Sequence, residues 1–175
     1  ELGVDCVYQD LALAPDLSVV DNMFLGHEVP VRGALGRLGF VDRKEMEERA
    51  DDALRRLSIK LPSLRVAVQD LSGGQRQAVA VARAVMWSKT AVLMEEPTAA
   101  LGARQSEIVC DLMRTVAASG LGVLVVSHDL PRVLKVADDV TIIWRGKTAL
   151  EAPAAGLTVP EVVSTMVGYQ VGEAA

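Results

Sequence analysis

Ser72-Gly73-Gly74-Gln75 opens an alanine- and valine-rich stretch, and this order of residue types can hold an anion. Ser72 can cap a helix, and Gln75, three residues on, can complete a capping box. The two glycines let a ligand approach the backbone closely, where free N–H groups and the helix dipole favour negative charge. The same four residues also suit a well-capped helix after a glycine turn, and the motif alone leaves both readings open.

Val92-Leu93-Met94-Glu95-Glu96-Pro97 carries two carboxylates at the end of an apolar run. Proteins that alternate strands and helices bind ligands at the C-terminal ends of their strands. One carboxylate there can hold Mg²⁺, directly or through water, and its neighbour can orient or deprotonate an attacking water. A solvated, idle strand end has the same composition. His128 follows a second apolar run, 123–127, and can bond a terminal phosphate or a polarised water if the two strands are neighbours. A structural histidine is the plainer account. Gln9 stands just past a third short run, either as a metal or water ligand or as a polar loop residue.

Strands and helices must alternate to present these residues together. Residues 3–8 read as a short strand, and 17–25 as a helix carrying Val19, Val20, Met23 and Phe24. Residues 33–39 hold three glycines and read as a mobile loop. Asp42 opens a helix, with Glu45 placed for a capping box. Met46, Ala50, Leu54 and Leu57 recur there at helical spacing, while Arg43, Glu47, Glu48, Asp51 and Arg55 face water. Pro62 closes this helical segment. A helix follows over 75–87, then a strand over 91–94 whose wholly apolar content predicts burial on both faces. A helix over 103–118 stops at Gly120, and 122–126 reads as a second buried strand. Residues 131–137 read as helix, 140–144 and 148–150 as a hairpin about Arg145-Gly146-Lys147. Residues 158–168 read as a short amphipathic helix before a frayed tail. The order predicts an α/β fold, a mostly parallel sheet flanked by helices with a helical subdomain.

Bulk properties set the bounds. The 175 residues are half apolar, enough for one domain with a real core. With aromatics at 3%, that core is built from Val, Leu, Ala, Ile and Met. A net charge of −5 argues against general affinity for nucleic-acid phosphates. Cys6 and Cys110 lack metal-ligand spacing and read as reduced core thiols of a cytoplasmic protein. No apolar run approaches the roughly 20 residues that cross a bilayer, so a membrane would be reached through a partner. The start, Glu1-Leu2-Gly3-Val4, has neither an initiator Met nor a signal peptide and suggests residues upstream.

In combination these stretches are far more specific. Gln9, Leu71-Ser72-Gly73-Gly74-Gln75-Arg76-Gln77, Leu93-Met94-Glu95-Glu96-Pro97-Thr98 and Ser127-His128-Asp129 follow one another in an order that resembles the ABC ATPase family, from its Q-loop to its C-terminus. The resemblance implies that Ser72, Gly73, Gly74 and Gln75 form the signature loop, which grips the γ-phosphate of ATP held by an opposite subunit. It makes Gln9 the Q-loop residue that touches Mg²⁺ and couples to the membrane partner. It makes Glu95 the Walker B acid, Glu96 the general base and His128 the switch histidine, with Ala99-Ala100-Leu101-Gly102 as the D-loop. It divides the chain into a Q-loop strand region (1–15), a helical subdomain that docks on the membrane subunits (16–70), and the signature, Walker B and switch part of a RecA-like core (71–175).

The stretches Val7-Tyr8-Gln9-Asp10-Leu11-Ala12-Leu13, Asn22-Met23-Phe24-Leu25-Gly26 and Ala99-Ala100-Leu101-Gly102 look like ATP-binding subunits of carbohydrate importers, of the monosaccharide type that includes fructose- and ribose-like systems. The implied protein is an ATP-hydrolysing subunit on the cytoplasmic face of a bacterial inner membrane. Its implied partners are a second such subunit, transmembrane permease subunits and, indirectly, a periplasmic or extracellular sugar-binding protein.

Three features depart from the family pattern. The G-x-x-x-x-G-K-[ST] loop is missing, and with it the main grip on the β- and γ-phosphates, so this chain alone is expected to bind ATP and Mg²⁺ weakly or not at all. Glu95 stands where most members carry Asp, one methylene longer for a metal that demands near-ideal octahedral geometry. Gly102 ends a D-loop that often ends in Asp. A truncated domain would expose sheet edges and apolar surface, and association with another chain is expected. The alternative to a fragment of an ATPase is a non-catalytic remnant without a phosphate-binding loop that regulates or binds partners.

Overall fold

The computed structural model describes residues 2–99 and 101–168. They fall into two compact units, Glu1–Val126 and Ser127–Ala175.

The first unit is built on a three-stranded parallel sheet, β1 (Val4–Val7), β2 (Ala91–Glu95) and β3 (Gly122–Val126), in the order β1-β2-β3. Val7, Met94 and Val125 share one register level, so the three strands end along one edge. Val7, Val92 and Met94 point to the buried face. That face and the helices make the core. Helix α4 (Gly73–Trp87) buries nearly its whole middle, Gln77 to Ala82 and Ala84, and such a helix is apolar around most of its circumference. It packs on β1, on α1 (Val19–Met23), on α3 (Arg43–Arg56) and on α5 (Ala103–Ala118).

Two expectations about the strands need correction. β3 is not buried on both faces: Leu124 is 62% exposed and Val126 56%. β2 is buried only at Val92 and Met94, while Leu93 is half-exposed. Among the described residues the helices cover a single face, so the apolar content of these strands lies partly on an open side with Val4 and half-buried Cys6. For the same reason Cys6 is not a core thiol, whereas Cys110 is buried on α5.

The helices between β1 and α4 follow the periodicity. Val19, Val20, Met23 and Phe24 are buried, as are Met46, Ala50, Leu54 and Leu57. Asp42 caps α3 by accepting from the Glu45 amide at 3.0 Å. The reciprocal half of the expected capping box is absent, because the Asp42 amide donates to Val29 O at 2.7 Å and Glu45 pairs with Arg49. Glu47 does more than face water: its carboxylate receives both Arg65 Nε and Nη2 at 2.8 Å. The arginine holds the Glu47 carboxyl below its ordinary pKa and is itself raised by it. Residues 33–39, expected as a loop, contain one helical turn, α2 (Ala34–Arg37), entered through Gly33 at φ 86°.

The second unit holds α6 (Leu130–Val136), the antiparallel pair β4 (Asp139–Trp144) and β5 (Lys147–Pro153), and α7 (Val159–Met166). Arg145 at φ 47° and Gly146 at φ 75° turn the hairpin, both in the left-handed region that a tight two-residue turn requires. At the start of α7 the Thr158 amide and hydroxyl both donate to the Glu161 carboxylate, at 2.8 and 2.6 Å, and lower its pKa. The tail expected to fray lies outside the described residues.

Candidate functional site

β1 delivers the chain to a turn closed by the Leu11 amide donating to Tyr8 O at 2.9 Å, with exposed Gln9 and Asp10 at its centre. The Ala12 amide donates to Asp10 Oδ1 at 3.1 Å. Beyond it Leu11 and Ala12 hold φ values of 67° and 45°, a region that costs a non-glycine residue about 1–3 kcal/mol.

On the neighbouring strand Glu95 is the last residue of β2 and is exposed. Glu96 leaves the strand at φ 45°, half-buried, and its amide donates to Val126 O at 2.8 Å. Since Val7 and Met94 are in register, Gln9, Glu95 and Glu96 emerge at the same C-terminal edge. The two acids therefore separate: one extends the strand and the other is turned out of it. Gln9 and Glu95 offer oxygen donors at that edge, the hard-ligand type Mg²⁺ takes, and Mg²⁺ commonly keeps only one or two protein ligands with phosphate and water completing its shell. The donor chemistry fits the ion.

At the N-terminus of α4 the capping box is complete. The Gln75 amide donates to Ser72 Oγ at 3.3 Å, and the Ser72 amide to Gln75 Oε1 at 2.9 Å. The Gly73 and Gly74 amides belong to the first turn, where a helix has no internal acceptors for its N–H groups. A Cβ on Gly73 would lie 3.4 Å from Leu101 Cδ2, and one on Gly74 3.3 Å from Gln105 Cγ. The loop thus packs against the start of α5. There Gly102 has no side chain with which to cap, and its amide donates to Gln105 Oε1 at 3.2 Å instead. Ala100, within the expected D-loop, lies outside the described residues.

His128 belongs to the second unit, two residues beyond the end of β3 in the chain, and is exposed. Its carbonyl accepts from the Leu130 amide at 2.9 Å, and the Asp129 amide donates to Ser127 Oγ at 3.2 Å. The structure therefore brings Gln9, Glu95 and Glu96 to one sheet edge and Ser72–Gln75 to one helix end within the first unit, with His128 in the other.

Several contributing side chains had no role assigned from the sequence. Asn22, fully buried, accepts from the Ala14 amide at 2.7 Å and donates through Nδ2 to the carbonyls of Ala14, Leu17 and Ser18 at 2.9, 3.2 and 3.0 Å. Arg83 Nη1 donates to Ala12 O at 2.7 Å and Nη2 to Leu11 O at 3.2 Å. Trp87 Nε1 donates to Met23 O at 2.9 Å, and its ring stacks on His27 at 4.1 Å. The available signal was polarity out of place: Arg83 is the lone charge in residues 78–87, and a charge in an apolar run requires a partner.

The family model described as ABC transporter matches residues 1–99, more than half of the chain. This chain belongs to the ABC transporter family. The xylose/arabinose import ATP-binding protein XylG of Sulfolobus acidocaldarius is 40% identical over 98% of this ABC chain and 66% of its own length. The fructose import ATP-binding protein FrcA of Rhizobium meliloti is 41% identical over 96% of the chain and 65% of its own length. A ribose import ATP-binding protein, RbsA 3 of Rubrobacter xylanophilus, is 37% identical over 98% of the chain and 33% of its own. The chain thus spans less than two thirds of the length of these curated relatives. Among solved structures, a bacterial ABC transporter cassette in dimeric form is similar at 25% identity, with a TM-score of 0.65 over 90% of this chain and 64% of that one. The ADP conformation of another ABC cassette, 24% identical, shares the fold with a TM-score of 0.73 over 95% and 68%. The family and the α/β fold expected from the motif order are both borne out.

Proposed function

We propose that this ABC family chain is the nucleotide-handling part of a subunit that hydrolyses ATP to drive monosaccharide import. The observation that carries the proposal is the placement of Gln9, Glu95 and Glu96 along one C-terminal sheet edge in a unit that also presents a capped Ser72-Gly73-Gly74-Gln75 helix end. The relatives named for xylose, fructose and ribose import support the sugar class.

In this proposal Glu96 positions and deprotonates water for in-line attack on the γ-phosphate of ATP. Catalysis then rests on positioning and electrostatics. Gln9 and Glu95 would hold Mg²⁺, and the ion would supply charge neutralisation for the phosphate. Ser72, Gly73, Gly74 and Gln75 grip the γ-phosphate of ATP carried by a second subunit, and His128 is the switch histidine that senses the γ-phosphate. The 16–70 segment docks on permease subunits that receive sugar from a binding protein, and nucleotide-driven closure of the dimer moves it. No helix among the described residues is long and apolar enough to cross a membrane, which suits a subunit that reaches the cytoplasmic face of a bacterial membrane through its partners.

The test is Glu96→Gln in the assembled transporter. Hydrolysis should fall by about 10²-fold or more, the scale of general-base catalysis, while ATP remains bound. Unchanged turnover sinks the proposal.

A further inference from the structure

Two side chains on one face of α4 reach back to the segment between the Gln9 turn and the end of α1. Arg83 forks onto Leu11 O and Ala12 O, and Trp87, one turn later, donates to Met23 O. Between them Asn22 stitches residues 14 to 18 onto α1. Arg83 therefore fixes the C-terminal side of the Gln9 turn to the body of the unit. It holds Leu11 and Ala12, two adjacent non-glycine positions whose backbone is left-handed. Such a conformation persists only where its surroundings over-determine it. Asp10 supplies one local bond, to the Ala12 amide, and Arg83 supplies two bonds from a different element.

The other end of the same helix carries Ser72, Gly73, Gly74 and Gln75. At 1.5 Å per residue, Arg83 lies roughly 16 Å along the axis from Ser72. α4 is buried along its middle, so it transmits a displacement as a rod rather than bending. We propose that Arg83 is a positioning residue for Gln9, clamping the turn behind it to the helix that begins at Ser72–Gln75, so that nucleotide contact at the helix start and the placement of Gln9 are mechanically linked. The proposal rests on the ATPase function given above. A planar guanidinium suits the task, because two parallel donors match two successive carbonyls, whereas lysine offers a single point.

The experiment is a double-mutant cycle on ATP hydrolysis in the assembled transporter, with Gln9→Ala, Arg83→Met, Arg83→Lys and the Gln9→Ala/Arg83→Met pair. It is accompanied by hydrogen exchange of the unliganded chain. Arg83→Met should lower turnover about tenfold and raise the Mg²⁺ concentration at half-maximal rate, as Gln9→Ala does. The pair should fall no more than about twofold below the worse single variant, because the arginine acts through the glutamine. Arg83→Lys should restore part of the rate. Exchange should quicken at the amides of residues 10–13 in Arg83→Met and stay unchanged in the middle of α4, which separates a released turn from a loosened fold. Additive losses, or a Mg²⁺ profile that shifts for Gln9→Ala alone, overturn the clamp. If Arg83→Met does not fold, the cycle is run with Arg83→Lys, and additivity there is equally fatal. A Glu96→Gln variant that hydrolyses like the parent instead removes the ATPase function itself, an outcome distinct from additivity beside an intact Glu96 requirement.

Discussion

The amide of Glu96 donates to the carbonyl of Val126 at 2.8 Å while Glu96 itself sits at φ 45°, so the second of the two acids is turned out of the strand and pinned to the end of β3. The bond belongs to the last pair of the parallel ladder, Glu95 with Val126. A carboxylate in this place has a fixed backbone beneath it, and its partner Glu95 keeps the alternation of the strand.

The left-handed backbone at 96 makes a prediction separate from catalysis. A β-branched residue is least tolerant of positive φ, and glycine is indifferent to it. Glu96→Val should destabilise the first unit by about 1–2 kcal/mol relative to Glu96→Gly. Thermal unfolding of the two variants decides this. Equal midpoints would mean that the turn relaxes into an ordinary conformation.

Asn22 gives the largest expected loss of stability. Its amide accepts from the Ala14 amide and donates to the carbonyls of Ala14, Leu17 and Ser18, and no water reaches it. Asn22→Leu keeps the branched shape of the side chain and removes every bond, leaving the Ala14 amide without its acceptor. The cost should be about 2–4 kcal/mol. Asn22→Asp should be worse, since it sets a carboxylate against three carbonyl oxygens. Urea denaturation measures both, and a loss below about 1 kcal/mol for Asn22→Leu, the net worth of one ordinary hydrogen bond, contradicts the network.

What the sequence disclosed and what it withheld follow one division. Local, chain-contiguous signals were legible: the Ser72/Gln75 capping box, the Met46-Ala50-Leu54 stripe and the hairpin about Arg145-Gly146-Lys147 all depend on near neighbours. The order of short motifs was enough for the family. Contacts between distant segments were not legible, because nothing near Arg83 in the chain marks Leu11 and Ala12 as its acceptors. The same limit explains β3. An apolar strand reads alike whether helices cover one face or both, and here Leu124 and Val126 stand on the uncovered one.

Ser72 has a structural duty that can be measured apart from nucleotide. Its hydroxyl accepts from the Gln75 amide, and losing a serine N-cap costs about 1 kcal/mol. Ser72→Ala should lower the unfolding midpoint by roughly 2–4 °C, the shift 1 kcal/mol produces in a chain of this size. Ser72→Asp keeps the cap and should restore the midpoint, yet it places a negative charge where a γ-phosphate is proposed to sit. Recovery of stability together with loss of hydrolysis would assign both duties to this residue, and recovery of both would remove the phosphate contact.

Cys6 reports on Glu95 without any nucleotide. Burial raises the thiol pKa first, and the negative charges of Glu95 and Asp5 raise it further. A raised pKa means a smaller thiolate fraction at a given pH than in the unfolded chain, and the thiolate is the nucleophile. Alkylation of Cys6 should therefore be slow at neutral pH and climb at a higher pH than in denatured protein, with buried Cys110 slower still. Glu95→Gln removes one of the two charges, so the rate profile of Cys6 should move toward lower pH without reaching the denatured one, because burial persists. Peptide-resolved mass spectrometry across a pH series reads both thiols at once. A Cys6 profile indifferent to Glu95→Gln would place the first acid farther from β1 than the register requires, and with it would go the pairing of Glu95 and Gln9 at one sheet edge.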